Sequence, residues 1–249
     1  MNVAVALVVA IPFAAAAILV WAPNYRVSAV ANAVAMLATF LVGLSLLVAP
    51  SGSDAFFILD EVNILFIVIN TLVGFTASLF SASYIGHEIE TGKLTARFVR
   101  FYHAMFLSMM GAMNLALVAN NIGLIWVGLE MATLITVVMV GIYRTPAAIE
   151  AAWKYFILGS VGISLAFFGT ILIYLAGQSA LGEGEPAMTW SLLLQSASKL
   201  DASLLNLAFV FLLVGYGTKV GLAPLHAWLP DAHAEGPTPI SAVLSGLLL

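Results

Sequence analysis

Cysteine is absent from the 249 residues. That excludes disulfides, Cys-ligated iron–sulfur clusters and thiol chemistry from this chain. Charge is scarce as well: Asp, Glu, Lys and Arg make up 8% of the sequence, against about 25% in a soluble domain. The net charge of −4 is spread over connecting segments and implies no nucleic-acid partner. No Asn-x-Ser/Thr acceptor occurs. The opening MNVAVALVVAIPF lacks the basic region of a cleaved signal and reads as a retained first span. His87–Glu88 begins a zinc-helix signature, but Thr91 stands where the second histidine is needed. GYGTKVG has the wrong glycine spacing for a phosphate loop, and the four histidines are not paired for a haem. No constellation for nucleophilic catalysis and no metal site is present.

Apolar residues dominate instead, at 63% hydrophobic and a mean hydropathy of +1.10. A spanning helix takes roughly 20 apolar residues. Such runs fall at about 3–22, 27–49, 58–83, 101–119, 121–143, 150–176 and 204–230, with a further start near 238. The expectation is an all-α, polytopic transmembrane helix bundle with seven complete spans and the start of an eighth. The end on SGLLL, inside an apolar run, reads as an unfinished helix.

Loop charge predicts orientation. Arg26, then Lys93, Arg97 and Arg100, then Arg144 with Lys154 just beyond, follow the first, third and fifth spans; the other side has Lys199. The positive-inside rule then puts the odd loops in the cytoplasm and the N-terminus outside, in an inner membrane. The sixth loop, about 177–203, should lie outside and be partly ordered, with Trp190 near the interface. The turn Ala119–Asn121 is so short that the fourth and fifth spans must be antiparallel neighbours.

The stretch around which the chain is organised is Val214–Pro239, VGYGTKVGLAPLHAWLPDAHAEGPTP. Lys219 sits within an apolar span and is flanked by Gly215, Gly217, Gly221 and Pro224, so the seventh helix should break there. In lipid a broken helix survives only where protein or internal water satisfies the freed backbone. An ionisable residue at such a break is a candidate functional group. Glu130 is the second, about nine residues into its span and roughly 14 Å deep, near the middle of a ~30 Å core. Trp126 and Thr133 lie one turn from it. Packing glutamate, snorkelling lysine and a Gly217–Gly221 packing motif are the structural alternatives. Lys154 reads equally as an interfacial anchor or a pathway group. His226 and His233 flank the break and can change charge near neutral pH, while His87 and His103 read as interfacial.

A carboxylate and an amine inside a membrane can move protons. Burial disfavours both charges, and each favours the other's charged form. Their separation therefore governs where a proton rests, and one unit of proton affinity is worth 1.36 kcal/mol. Glu130 and Lys219 form the expected central pair, with Lys154, His226 and His233 as relay candidates.

LIWVGLEMATLITVVMVGIYR, AAWKYFILGSVGISLAFFGTILIY and GTKVGLAPLHAWLPDAHAEGPTPISAVLSG resemble the antiporter-like proton-channel subunits of respiratory complex I, membrane-bound hydrogenases and multisubunit cation/proton antiporters. The likeness covers about 114–249, with wording most like the hydrogenase-4, formate-hydrogenlyase-type branch. It implies a redox-coupled proton pathway in which Glu130 and Lys219 fall on the family's glutamate and broken-helix lysine. Lys154 falls near a basic position used by some members. The chain would be the N-terminal half of such a subunit: 1–100 holding three helices and a basic cytoplasmic loop, and 101–249 holding the first helical repeat, cut within its last helix. The resemblance implies that flavin, iron–sulfur or nickel–iron centres belong to partner membrane or peripheral subunits. A sodium/proton antiporter subunit and a non-conducting anchor for a peripheral oxidoreductase are the alternatives.

Overall fold

The computed structural model describes residues 3–22, 24–95 and 101–248. Arg97 and Arg100, assigned above to a cytoplasmic loop, lie outside the described residues. The chain is almost wholly helical, and its order is α1 (Val3–Leu19), α2 (Tyr25–Ser45), α3 (Glu61–Glu90), α4 (Tyr102–Val118), α5 (Ile122–Val140), α6 (Pro146–Leu181), short α7 (Trp190–Gln195), α8 (Ala202–Lys219), α9 (Leu229–Glu235) and α10 (Thr238–Val243). A π-turn, Leu244–Leu248, follows α10. Among the described residues five helices are long and apolar enough to cross a membrane: Tyr25–Val48, Glu61–Glu90, Ile122–Tyr143, Pro146–Leu181 and Ala202–Lys219. Two of the seven expected spans, Val3–Leu19 and Tyr102–Val118, are shorter apolar helices. This is an integral membrane protein.

Local chemistry sets the ends of these helices. Asp60 and Asn63 form a reciprocal capping box at the start of α3, the arrangement that satisfies two orphan N–H groups at once. Asn121 caps α5 through Oδ1, which accepts from Gly123 and Leu124 N–H, so a turn of three residues is enough to reverse the chain. Thr145 caps α6, whose first residue is Pro146, a position where the missing N–H costs nothing.

The packing falls into two adjoining groups. Helices α1 to α4 pack on one another, α4 packs along α5, and α6 lies along α8 with α5 on its other side. The main core gathers Met36, Phe106, Met109, Met110, Met139 and Tyr155 with residues from every one of these helices except α8.

Alternate connections collect at one end of the bundle. There a two-stranded antiparallel hairpin, β1 (Gly52–Ser53) and β2 (Ile58–Leu59), departs from the purely helical expectation. Asn120 ties this end together: its N–H donates to Phe56 C=O, its Nδ2 to Asp54 C=O and Ser191 Oγ, and its side-chain and backbone oxygens accept from Ser191 and Trp190 N–H. The 177–203 connection is thus ordered; α6 runs on to Leu181, and a 3-10 turn and α7 follow. The opposite end carries Arg144, Lys93 in an ion pair with buried Glu88 (3.2 Å), and the Tyr84–Tyr143 hydroxyl pair.

Candidate functional site

The end of α8 is built by a motif legible in its residues. Gly221, at φ 71°, takes the left-handed conformation. Leu222 N–H donates to Gly217 C=O at 2.9 Å and Gly221 N–H to Thr218 C=O at 3.4 Å. These are the two bonds of a Schellman stop, which glycine closes without Cβ strain. Lys219 is the last residue of α8, so its cation also sits where the helix carbonyls are unpaired and the dipole is negative. After the break Trp228, 1% exposed, donates its indole N–H to Thr218 C=O at 2.9 Å. Its ring stacks on Tyr155 with centroids 4.3 Å apart.

Lys219 is 6% exposed. Its Nζ donates to Thr133 Oγ1 at 2.5 Å and to Tyr155 Oη at 3.3 Å. Thr133 Oγ1 in turn donates to Leu129 C=O, and Tyr155 Oη is bonded to Thr136 Oγ1 at 2.9 Å. The ammonium is therefore held by neutral hydroxyls on α5 and α6, each oriented by a further bond. Glu130 lies three residues before Thr133, on the same face of α5. Among the described residues Lys219 and Glu130 are not in direct ion-pair contact, and the buried Glu130 Oε2 has no hydrogen-bond partner. A carboxylate oxygen without a partner thus lies one helical turn before the threonine whose hydroxyl holds the amine. Trp126, one turn before Glu130, donates to Ile163 C=O at 2.8 Å and fixes α5 to α6.

The other three candidates stand apart from this site. Lys154 faces outward and pairs with Asp231 at 2.7 Å and with Glu150 at 2.8 Å, linking α6 to α9. His226 is exposed in the turn after the break. His233 is half-buried, with Nε2 3.4 Å from Ser245 Oγ. His103, expected at an interface, is fully buried: its ring lies between Tyr25 and Tyr102, so interior packing rather than the neighbouring basic loop decides its place.

Tyr155, Thr136 and Trp228 were not singled out in the sequence. Tyr155 had a signal. Ala148, Ala151, Gly159, Gly162, Ala166 and Gly169 recur on the buried face of α6, and Tyr155 is the one aromatic residue among its buried side chains. A helix turns about 100° per residue, so Lys154 and Tyr155 cannot both face inward. The packing glycines are also different ones: a Cβ on Gly215 would lie 2.5 Å from Ala166 N and 2.6 Å from Gly162 C=O, whereas Gly217 and Gly221 serve the helix stop.

Residues 119–249 match the family model described as NADH:quinone oxidoreductase/Mrp antiporter, transmembrane. The chain is 55% identical over 244 residues to the hydrogenase-4 component F homolog of Methylacidiphilum infernorum (isolate V4), covering 98% of this chain and 51% of that protein. Its fold is that of chains in the archaeal membrane-bound sulfane sulfur reductase (TM-score 0.83, 19% identity, 98% and 50% covered) and in respiratory complex I of Thermus thermophilus (0.72, 23%, 98% and 52%). It spans about half the length of each. The chain belongs to the antiporter-like membrane-subunit family shared by NADH:quinone oxidoreductases and Mrp antiporters.

Proposed function

We propose that this chain carries protons through the membrane as part of a redox-driven complex of the hydrogenase-4 or NADH:quinone oxidoreductase type, with Glu130 and Lys219 as the central pair. One observation carries the reading. A buried lysine at a helix break is held by two hydroxyls, one of them a helical turn from a glutamate with a buried, unpartnered oxygen. Structural ion pairing would bring the two charges into contact. Here Lys219 is bonded to neutral oxygens that can pass a proton on or give it back, and Glu130 is left able to accept or release one. Motion of α8 about its break changes the Lys219–Glu130 separation and with it the preferred resting place of the proton.

In this reading all seven helices α1 to α6 and α8 cross an inner membrane, α10 begins an eighth span, and the N-terminus faces outward. Lys154, through Asp231, and the histidines His226 and His233 are relay groups leading from the break to water. Redox centres belong to partner subunits, as does the donor.

The test uses the full-length subunit in its assembled complex, reconstituted in vesicles, with Glu130→Gln and Lys219→Met. Both variants should assemble and retain redox turnover by partner subunits while losing proton uptake. Unchanged translocation overturns the reading in favour of an anchor. Sodium-dependent proton movement with no redox donor assigns the pair to an antiporter instead.

A further inference from the structure

Helices α2 and α3 lie side by side. Tyr25 Oη donates to Ala82 C=O at 2.6 Å at one end of the pair, and Gly43 faces Thr71 farther along, so the two are antiparallel. Where α2 starts and α3 ends, an open groove of about 670 Å³ lies between them. Within it the Tyr25 ring rests against Gly86, where a Cβ would stand 3.4 Å from Cε1. The lining also holds Arg26, His87, Glu90, Asn24 and Ser83, all exposed. Among the described residues neither Arg26 nor Glu90 has an ion-pair partner. A cation and an acid thus share one groove without neutralising each other.

The groove sits at the depth of lipid headgroups. The span Tyr25–Val48 has 24 residues, about 36 Å at the helical rise, against a hydrocarbon core of about 30 Å. Its first turn therefore reaches the polar layer. Trp21, 79% exposed just ahead of it, is the residue type that gathers at that level. Two exposed stripes lead from the groove along the bundle. On α2 they are Val27, Val30, Val34, Leu37 and Leu41; on α3, Ser83, Leu79, Thr76 and Leu72. The steps are three or four residues throughout, so each stripe is one helix face, and Val27 and Ser83 belong to the groove itself.

We infer that this groove binds one phospholipid with an ethanolamine headgroup. The Arg26 guanidinium donates to the phosphate oxygens, a pairing its planar fork suits, and His87 offers a further N–H. The primary ammonium donates to the Glu90 carboxylate. The acyl chains lie along the two apolar stripes. A choline headgroup has no N–H for Glu90, and a glycerol headgroup has no cation to set beside it. A phosphate ester free in solution would leave both stripes uncovered.

The inference does not rest on the proposed function, and its test separates the two. The full-length protein is reconstituted in vesicles of equal parts phosphatidylethanolamine, phosphatidylcholine and phosphatidylglycerol, extracted in mild detergent, and examined by native mass spectrometry. Phosphatidylethanolamine should be the lipid retained. Glu90→Gln should abolish its preference over phosphatidylcholine. Arg26→Gln should lower retention of all three about fivefold, the worth of one basic residue at a membrane surface. Both side chains are exposed, so neither change disturbs packing. Glu130→Gln should leave retention unchanged, and soluble phosphoethanolamine should not displace the lipid. Cryo-electron microscopy of the assembled complex should show two-tailed density along Val30 and Leu79. Equal retention of the three lipids, or a preference that survives Glu90→Gln, overturns the inference. So does displacement by the soluble headgroup, or a partner subunit's helix seated in the groove.

Discussion

Gly215→Ala is the sharpest probe of how the lysine is positioned. The added Cβ would sit 2.5 Å from Ala166 N, 2.6 Å from Gly162 C=O and 2.7 Å from Ala166 Cβ. The first two are backbone atoms of α6 and cannot swing aside. Ordinary contact begins at 3.4 Å, so α8 must move from α6 by about 0.9 Å, or the two helices must deform together. Overpacking of this kind costs about 1–3 kcal/mol. Lys219 lies one turn farther along the same helix, so the shift also stretches the 2.5 Å bond from Nζ to Thr133. Gly217→Ala is the internal control. Its Cβ would meet Leu222 Cδ1 at 3.2 Å, the far end of a flexible side chain. Thermal unfolding of the purified full-length protein, with proton uptake by vesicles, reads both effects. The expected result is a lowered midpoint and reduced uptake for Gly215→Ala, with Gly217→Ala close to the parent. Equal behaviour of the two variants would refute the close-contact argument, since they lie two residues apart on one helix and differ mainly in what their Cβ meets.

Thr133→Val keeps shape but deletes the acceptor nearest the ammonium; a hydrogen bond to a charged group is worth about 1.5–3 kcal/mol, so proton uptake should fall about 10–100-fold, with Thr133→Ser restoring most of it. Asn120→Ala strips the hairpin and the 182–191 segment of their shared partner and should lower the unfolding midpoint by leaving buried groups unpaired, at about 1–3 kcal/mol, without altering the Lys219 site. Phe57 and Phe56 N–H donate to the Asp54 carboxylate and hold it below the usual carboxylate range. Its stabilisation is therefore full above the unfolded-state value and fades as pH falls through the folded one, so Asp54→Asn should flatten the acid side of a stability–pH curve measured by thermal unfolding.

Much of this was legible because the bilayer leaves few choices. Runs of apolar residues near 20 long can only be helices, and the turn between Val118 and Ile122 could only join antiparallel neighbours. The break after Lys219 was legible for the same reason, since glycine and proline clustered around a cation in an apolar run leave the backbone groups needing partners. What could not be read was which face each helix turns inward. Nearly every face is apolar, so amphipathicity gives no bearing, and Tyr155 and His103 were placed by packing partners far away in sequence. Lys154 shows the same limit: nothing in AAWKYF said that its acid would come from α9, 77 residues on. The hairpin escaped notice because two residues per strand are too few for an alternating pattern.

The break itself explains why Lys219 is held by hydroxyls rather than by Glu130. A lysine in mid-helix could reach any neighbour its four-carbon stem allowed. At the last position of α8 its backbone is fixed by the Leu222–Gly217 and Gly221–Thr218 bonds, and the following chain is fixed by the Trp228 bond to Thr218 C=O. Trp228 also stacks on Tyr155, so the residue that pins the break also orients one of the two hydroxyls holding the amine. Thr133, the other, occupies the amine from the side of Glu130. Coupling of break and cradle through one tryptophan means that, in the proposed mechanism, a motion opening the break also moves Tyr155 and changes what holds the proton on Lys219.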